Sequence, residues 1–195
     1  MKRLASKSLQ ALAALSLSLA FSAGALAQTV VKLTTTVGDI RVELDAEKAP
    51  KTVANFIAYV KAGHYNGLIF HRVIENFMIQ TGGYTTKLEG RPTKAPIPLE
   101  SANGLNNVRG SIAMARSSNP DSATSQFFIN TVDNPGLDAE NARDGKGYAV
   151  FGRVIEGMEV VDQIRAVPVA AKSDAFQHLP LTPILITKAI VESKK

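Results

Sequence analysis

Phe70-His71-Arg72-Val73-Ile74-Glu75-Asn76-Phe77-Met78-Ile79-Gln80-Thr81-Gly82-Gly83 is the stretch whose reading decides the fold. Two short runs rich in apolar and β-branched residues flank the polar pair Glu75-Asn76, the pattern of two strands joined by a turn. Successive strand residues point to opposite faces, so the spacing puts Arg72 with Phe70 and Ile74, and His71 with Val73. A guanidinium stays charged at ordinary pH and donates through a rigid planar fork. Arginine is uncommon on a half-buried strand without a partner. No acidic residue stands at the positions facing Arg72, which leaves two readings. Either the cation awaits a ligand beside Phe77 and Met78, or it pairs with a distant acid such as Glu43 or Asp121 in an ordinary core.

Working outward, the dominant period is two. Val30 to Thr36 and Asp39 to Leu44 alternate around Val37-Gly38 as a hairpin. Further short strands are expected at Ile69–Ile74, Met78–Thr81, Ile97–Glu100, Ser111–Ala115, Gln126–Asn130, Ala149–Val154 and Leu185–Val191. Only two segments switch to helical spacing. Pro50 to Lys61 carries Val53, Phe56, Ile57 and Val60 on one stripe, with Pro50 in the first turn and Gly63 at the stop. Met158 to Arg165 turns Val161 and Ile164 inward. Turn-rich segments at Gly90–Pro98, Ser117–Thr124 and Asp133–Gly147 separate these elements. The expected class is mainly β: a closed barrel of about eight strands, since closure removes exposed sheet edges, with the two helices plugging its ends.

The chain has 195 residues and is 45% hydrophobic, enough for one domain with a real core over residues 28–195. Residues 1–27 read as a secretory signal peptide. Lys2, Arg3 and Lys7 form a basic start, Leu9 to Phe21 is an apolar run too short to span a bilayer, and Ala25-Leu26-Ala27 is a small-x-small cleavage site. Cleavage takes the formal charge from +5 to +2, because the segment holds three basic residues and no acidic one. The remainder carries no basic block of the kind nucleic-acid binding needs, and no further run of membrane-spanning length. Cysteine is absent, which excludes disulfides, thiolate nucleophiles and cysteine metal sites.

Other chemistries fall away in the same manner. His64, His71 and His178 are isolated from one another and from acidic clusters, so no metal site is expected. Asp138-Ala139-Glu140-Asn141 opens like a calcium loop, but Arg143 stands where glycine is needed. No glycine cluster has phosphate-loop spacing, and no Gly-x-Ser-x-Gly elbow occurs. An arginine, two glutamines and an apolar face remain, a set suited to electrostatics and positioning rather than to nucleophilic or acid–base work.

At this point the residues carry a resemblance. Phe70-His71-Arg72-Val73-Ile74 with Phe77-Met78-Ile79-Gln80, then Gly110 to Arg116, Ser125 to Asn130 and Tyr148 to Gly152, resemble the signature segments of the cyclophilin-type peptidyl-prolyl cis–trans isomerases, the exported bacterial members above all. The likeness spans Val30 to Val191 in order. It implies an eight-stranded antiparallel barrel capped by two helices, with an active groove on the outer surface and no cofactor. Arg72 matches the family's catalytic arginine, and Phe77, Met78, Phe128 and Leu137 its proline pocket. Gln80 and Gln126 match the groups that hold the substrate backbone, and Ala115 and Arg116 the segment whose main chain lies along the peptide. Two positions depart. Tyr148 stands where many members have histidine, and Gly136 where animal members have tryptophan.

The implied partners are proline-containing unfolded or partly folded polypeptides, met by a monomeric, exported, most simply periplasmic protein. A proline-recognising chaperone or binding module with incidental turnover is the alternative. Processing gives the first test: the intact mass of protein from the exported fraction should correspond to a chain starting at Gln28. A soluble cytoplasmic pool that keeps residues 1–27 would contradict the leader.

Overall fold

The structure, a computed structural model, describes residues 29–192; the expected leader and its cleavage point lie outside them. The first hairpin forms as its alternation dictates, β1 (Thr29–Thr35) against β2 (Gly38–Leu44), each burying every second residue. The helix α1 (Pro50–Lys61) follows with Pro50 in its first turn, where the missing N–H costs nothing. Val53, Phe56, Tyr59 and Val60 are buried, and Ile57, partly buried, packs against the same core.

The chain then makes β3 (Leu68–Ile69), β4 (Arg72–Ile74), β5 (Met78–Thr81), β6 (Ser111–Met114), β7 (Phe127–Asn130) and β8 (Val150–Glu156). Helix α2 (Met158–Arg165), a small ladder of β9 (Val169–Ala170) with β10 (Leu179–Pro180), and β11 (Leu185–Glu192) complete it. One antiparallel sheet has the order β3-β11-β1-β2-β8-β6-β7-β5-β4. It curls around a core in which Phe56 meets Phe127 edge to face at 5.2 Å and lies 5.3 Å from Tyr65 and 5.2 Å from Phe151. Helix α1 packs on β11, and α2 lies over β2, β4 and β5.

Three expectations are corrected. The barrel is not closed, and its large sheet has nine strands, not eight: β3 and β4 are its two ends and do not pair. The reason is local. The Phe70 N–H donates to Ile184 O (2.9 Å) and the His71 N–H to Gln80 O (3.1 Å), so these two residues step from one sheet end to the other. That step also breaks the strand expected at Ile69–Ile74. Phe70 therefore lies in the core with Val73, and does not share a face with Arg72. Third, Ile97–Glu100 is no strand; it contributes a single bridge, Ile97 to Ala123.

His71, at the joint, is buried at 5% exposure against Tyr84 and Phe176, with ring centroids 4.8 and 6.5 Å away. Burial drives its pKa down to about 4. The unfolded chain titrates near 6.5, so above that pH the ring is neutral in both states and contributes no pH dependence. As pH falls from 6.5 towards 4 the unfolded state binds a proton that the folded state refuses, and stability drops. His64, also lowered by burial, acts in the same direction. Urea unfolding at pH 7.5 and 4.5 should show the natural chain losing about 2–3 kcal/mol more than His71→Phe. Equal losses would contradict this assignment.

Candidate active site

The register of four strands builds the site. Arg72 on β4 lies opposite Gln80 on β5, Gln80 opposite Phe128 on β7, and Phe128 opposite Ala113 on β6. These residues form one row on the outer face of the sheet, while Ile79, Ile129 and Ile112 point the other way into the core. The sheet is thus apolar on both faces here. Met78, Ala113, Phe128 and Val150 make a second buried cluster outside the barrel, with Ile74, Phe77, Leu105, Ala115, Leu137 and Tyr148 around it.

The cluster leaves a cavity of about 190 Å³ lined by Arg72, Phe77, Met78, Gln80, Ala115, Arg116, Phe128, Leu137 and Tyr148. Its size, against about 300–1,000 Å³ for drug-sized ligands, suits one small ring with its flanking backbone. Nine of the ten residues singled out from the sequence meet here. Gln126 does not line the cavity; its Oε1 accepts from Gln80 Nε2 at 2.9 Å, one step behind the wall. Gly83 leaves room for it, since a Cβ at that position would fall 2.7 Å from Gln126 Nε2. A larger cleft of about 440 Å³ lies between Leu44, Leu105 and Val150, but its Arg153 is bonded to its Glu43.

Arg72 is the charge of the site. Nη1 reaches Gln80 Oε1 at 3.4 Å and Met78 Sδ at 3.9 Å, and the guanidinium carbon lies 5.8 Å from the centre of the Phe77 ring. None of the ion pairs among the described residues includes it. Both acids considered as distant partners are engaged elsewhere, Glu43 with Arg153 and Asp121 Oδ1 with the Leu99 N–H at 2.8 Å. Partial burial lowers the Arg72 pKa from its ordinary value, yet an arginine so placed remains charged. The site therefore holds an oriented cation, weakly hydrated and without a carboxylate.

Sequence reasoning missed the supports. Asn134 Nδ2 donates to Phe77 O (2.8 Å) and Asn130 Oδ1 (2.7 Å), and Asn130 Nδ2 donates to Ser111 Oγ (2.8 Å). This network clamps the turn that presents Phe77. Asn134, a turn residue, and Asn130, at the end of β7, acquire the role only through contacts made across the fold. The side chain of Arg116, in the segment whose main chain is expected along the peptide, is 4% exposed and bonded within the protein.

A guanidinium without an ion pair beside a small apolar pocket, on the outside of a curled antiparallel sheet, is an arrangement that can take a compact apolar group and stabilise charge at its edge. Residues 30–191 match the sequence profile described as "Cyclophilin type peptidyl-prolyl cis-trans isomerase/CLD", and the chain belongs to that family. It is 53% identical to a peptidyl-prolyl cis-trans isomerase of Acinetobacter baylyi over 175 residues, 90% of this chain and 92% of the relative. Peptidyl-prolyl cis-trans isomerase B of Escherichia coli is 45% identical over 163 residues, 83% of this chain and 99% of the relative. A crystal structure of a Cryptosporidium parvum cyclophilin type isomerase in the presence of the dipeptide ala-pro superposes with a TM-score of 0.69 at 29% identity, covering 85% of this chain and 99% of that one.

Gly136 lies in the turn Pro135–Leu137, and a Cβ added there meets nothing within 4 Å. Gly136 does not itself line the cavity, but it adjoins Leu137, which does, and it leaves open space that a larger side chain could occupy. Binding of cyclosporin-type macrocycles should be weak in the natural chain and at least about tenfold tighter in Gly136→Trp, read by inhibition or calorimetry. Tight binding by the natural chain would show that Leu137 or Tyr148 already supplies a wall there.

Proposed function

We propose that this site catalyses rotation about X–Pro bonds in unfolded or partly folded polypeptides, with Arg72 as the catalytic residue. Planarity of the amide gives such bonds a barrier of about 18–20 kcal/mol, and isomerisation takes tens to hundreds of seconds unaided. In the twisted state the prolyl nitrogen regains a lone pair that resonance removes from both planar isomers. A donor aimed at that nitrogen binds the twisted state better than either ground state, the condition for catalysis. Arg72 suits this part because no carboxylate among the described residues competes for its donors.

The remaining residues divide the work. Phe77, Met78, Phe128 and Leu137 supply the apolar walls for the prolyl ring, with Tyr148 and Ala115 closing the cavity. Gln80, held by Gln126, offers its amide beside Arg72 to keep one side of the bond fixed while the other turns. Lowering the barrier by about 7 kcal/mol would accelerate the reaction on the order of a hundred-thousandfold. No bond is made or broken and no proton moves, so the chemistry calls for neither nucleophile nor cofactor.

The basic, apolar and small-x-small pattern of residues 1–27 supports action on exported chains, with the periplasm as the simplest destination. No helix among the described residues is long and apolar enough to cross a membrane. We read the working form as a monomer that takes polypeptide, not nucleic acid, as its partner.

In a protease-coupled assay on an Ala-Pro peptide, Arg72→Ala should lower kcat/KM by on the order of a hundredfold or more, with little change in Tm. Phe128→Ala should weaken binding and turnover together, because both states use that wall. Retained turnover in Arg72→Ala, or refolding rescue that does not depend on Arg72, would favour the binding-module reading.

A further inference from the structure

We propose that Asp144 is a positioning residue of the isomerase site, acting through Arg116 to hold the ring of Tyr148 as one wall of the proline pocket. The proposal rests on the function given above. Asp144 does not line the cavity; it stands on the exposed loop behind it, with its side chain 43% exposed.

The linkage runs inward in contacts. The Asp144 carboxylate bonds Arg116 Nη2 through Oδ2. Its other oxygen, Oδ1, accepts from the N–H groups of Lys146 (2.9 Å) and Gly147 (3.2 Å). One side chain thus closes its own turn and anchors that turn to Arg116. Arg116 donates in addition from Nε to Gly147 O (2.9 Å) and from Nη1 to Ser117 O (3.0 Å). Its planar group lies over Tyr148, 4.7 Å from the ring centre. The Tyr148 ring meets Phe128 edge to face at 5.6 Å, on the pocket wall.

Backbone geometry adds a second restraint. Gly147 has φ +63°, in the left-handed region, and a Cβ there would lie 2.6 Å from Leu137 O and Ala139 N. The turn is therefore pressed against the segment that carries Leu137, and the Tyr148 N–H donates to Leu137 O at 2.9 Å. The two residues that wall this side of the pocket are tied to each other and, through Arg116, to Asp144.

Charge explains why an acid is needed. The Arg116 side chain, at 4% exposure, has lost most of its water, and Asp144 is the carboxylate that bonds it among the described residues. Contact with Arg116 holds the Asp144 carboxyl down at about 2, so the pair stays ionised across the working range. Without the carboxylate the guanidinium turns towards solvent and the Tyr148 ring loses the plane behind it. A wall serves ground and transition states alike, so its loss acts on KM more than on kcat.

The test combines kinetics on an Ala-Pro peptide with aromatic NMR of the tyrosine rings. Asp144→Asn keeps an acceptor oxygen for the turn and removes the charge. It should raise KM about three- to tenfold, leave kcat within about twofold, and shift or broaden the Tyr148 ring signals while Tyr59 and Tyr65 in the core stay unchanged. In a Tyr148→Ala background the same substitution should change KM by less than about 1.5-fold, since the effect travels through the missing ring. Arg116→Lys, which keeps the charge but not the planar fork, should reproduce the KM effect and serves if Asp144→Asn fails to fold. An unchanged KM and ring spectrum in Asp144→Asn, or a KM effect that persists fully without Tyr148, would overturn the proposal. A natural chain with no turnover would refute the isomerase reading instead, while the ring signals would still decide whether Asp144 positions Tyr148.

Discussion

The register between β5 and β7 is the constraint on which the site depends. Gln80 faces Phe128 and Met78 faces Asn130, so the outer row and the inner row of isoleucines stay separate. Side chains alternate with a period of two, and a slip by one residue would send Phe128 into the aromatic core and Ile129 to the groove. Burial on both faces opposes the slip, since each alternative would strand a polar group such as Gln80 among Phe127, Phe151 and Phe56. The pairing that assembles the pocket is thereby the pairing that the core demands.

Two arginines in one cavity meet opposite fates, and the contrast accounts for the electrostatics of the groove. Arg116 is neutralised by Asp144 and locked by two carbonyls; Arg72 keeps its charge and has only an amide oxygen and a thioether nearby. Buried charge without a partner is costly, which is why Arg72 remains half-exposed. On the function proposed above, a substrate with a developing lone pair would relieve that residual cost. A lysine could not replace either residue, because one needs a fork with three acceptors and the other a plane beside a ring.

The open seam follows from the same economy of backbone hydrogen bonds. A closed ladder would need β3 to pair with β4, yet Phe70 and His71 between them form no turn and carry the chain from one sheet end to the other. The chain instead spends their N–H groups on Ile184 and Gln80. The joint sits next to Arg72, so its geometry sets how that side chain leaves the sheet.

Both helices, Pro50–Lys61 and Met158–Arg165, and the first hairpin were legible in the sequence, because a backbone period and a proline or glycine stop are local properties. The apolar pocket residues were legible through resemblance and through their place in alternating runs. What could not be read locally was the side of the sheet that Phe70 takes, which required knowing that the strand breaks. The absence of a strand at Ile97–Glu100 and the pairing of β9 with β10 were hidden likewise, since short segments take their state from neighbours. The isolation of Arg72 and the tether of Arg116 to Asp144, 28 residues away, belong to tertiary structure alone. Sequence chose which side chains were charged, apolar or able to turn the chain; only the fold decided which charges met, because meeting depends on long-range register and not on local preference.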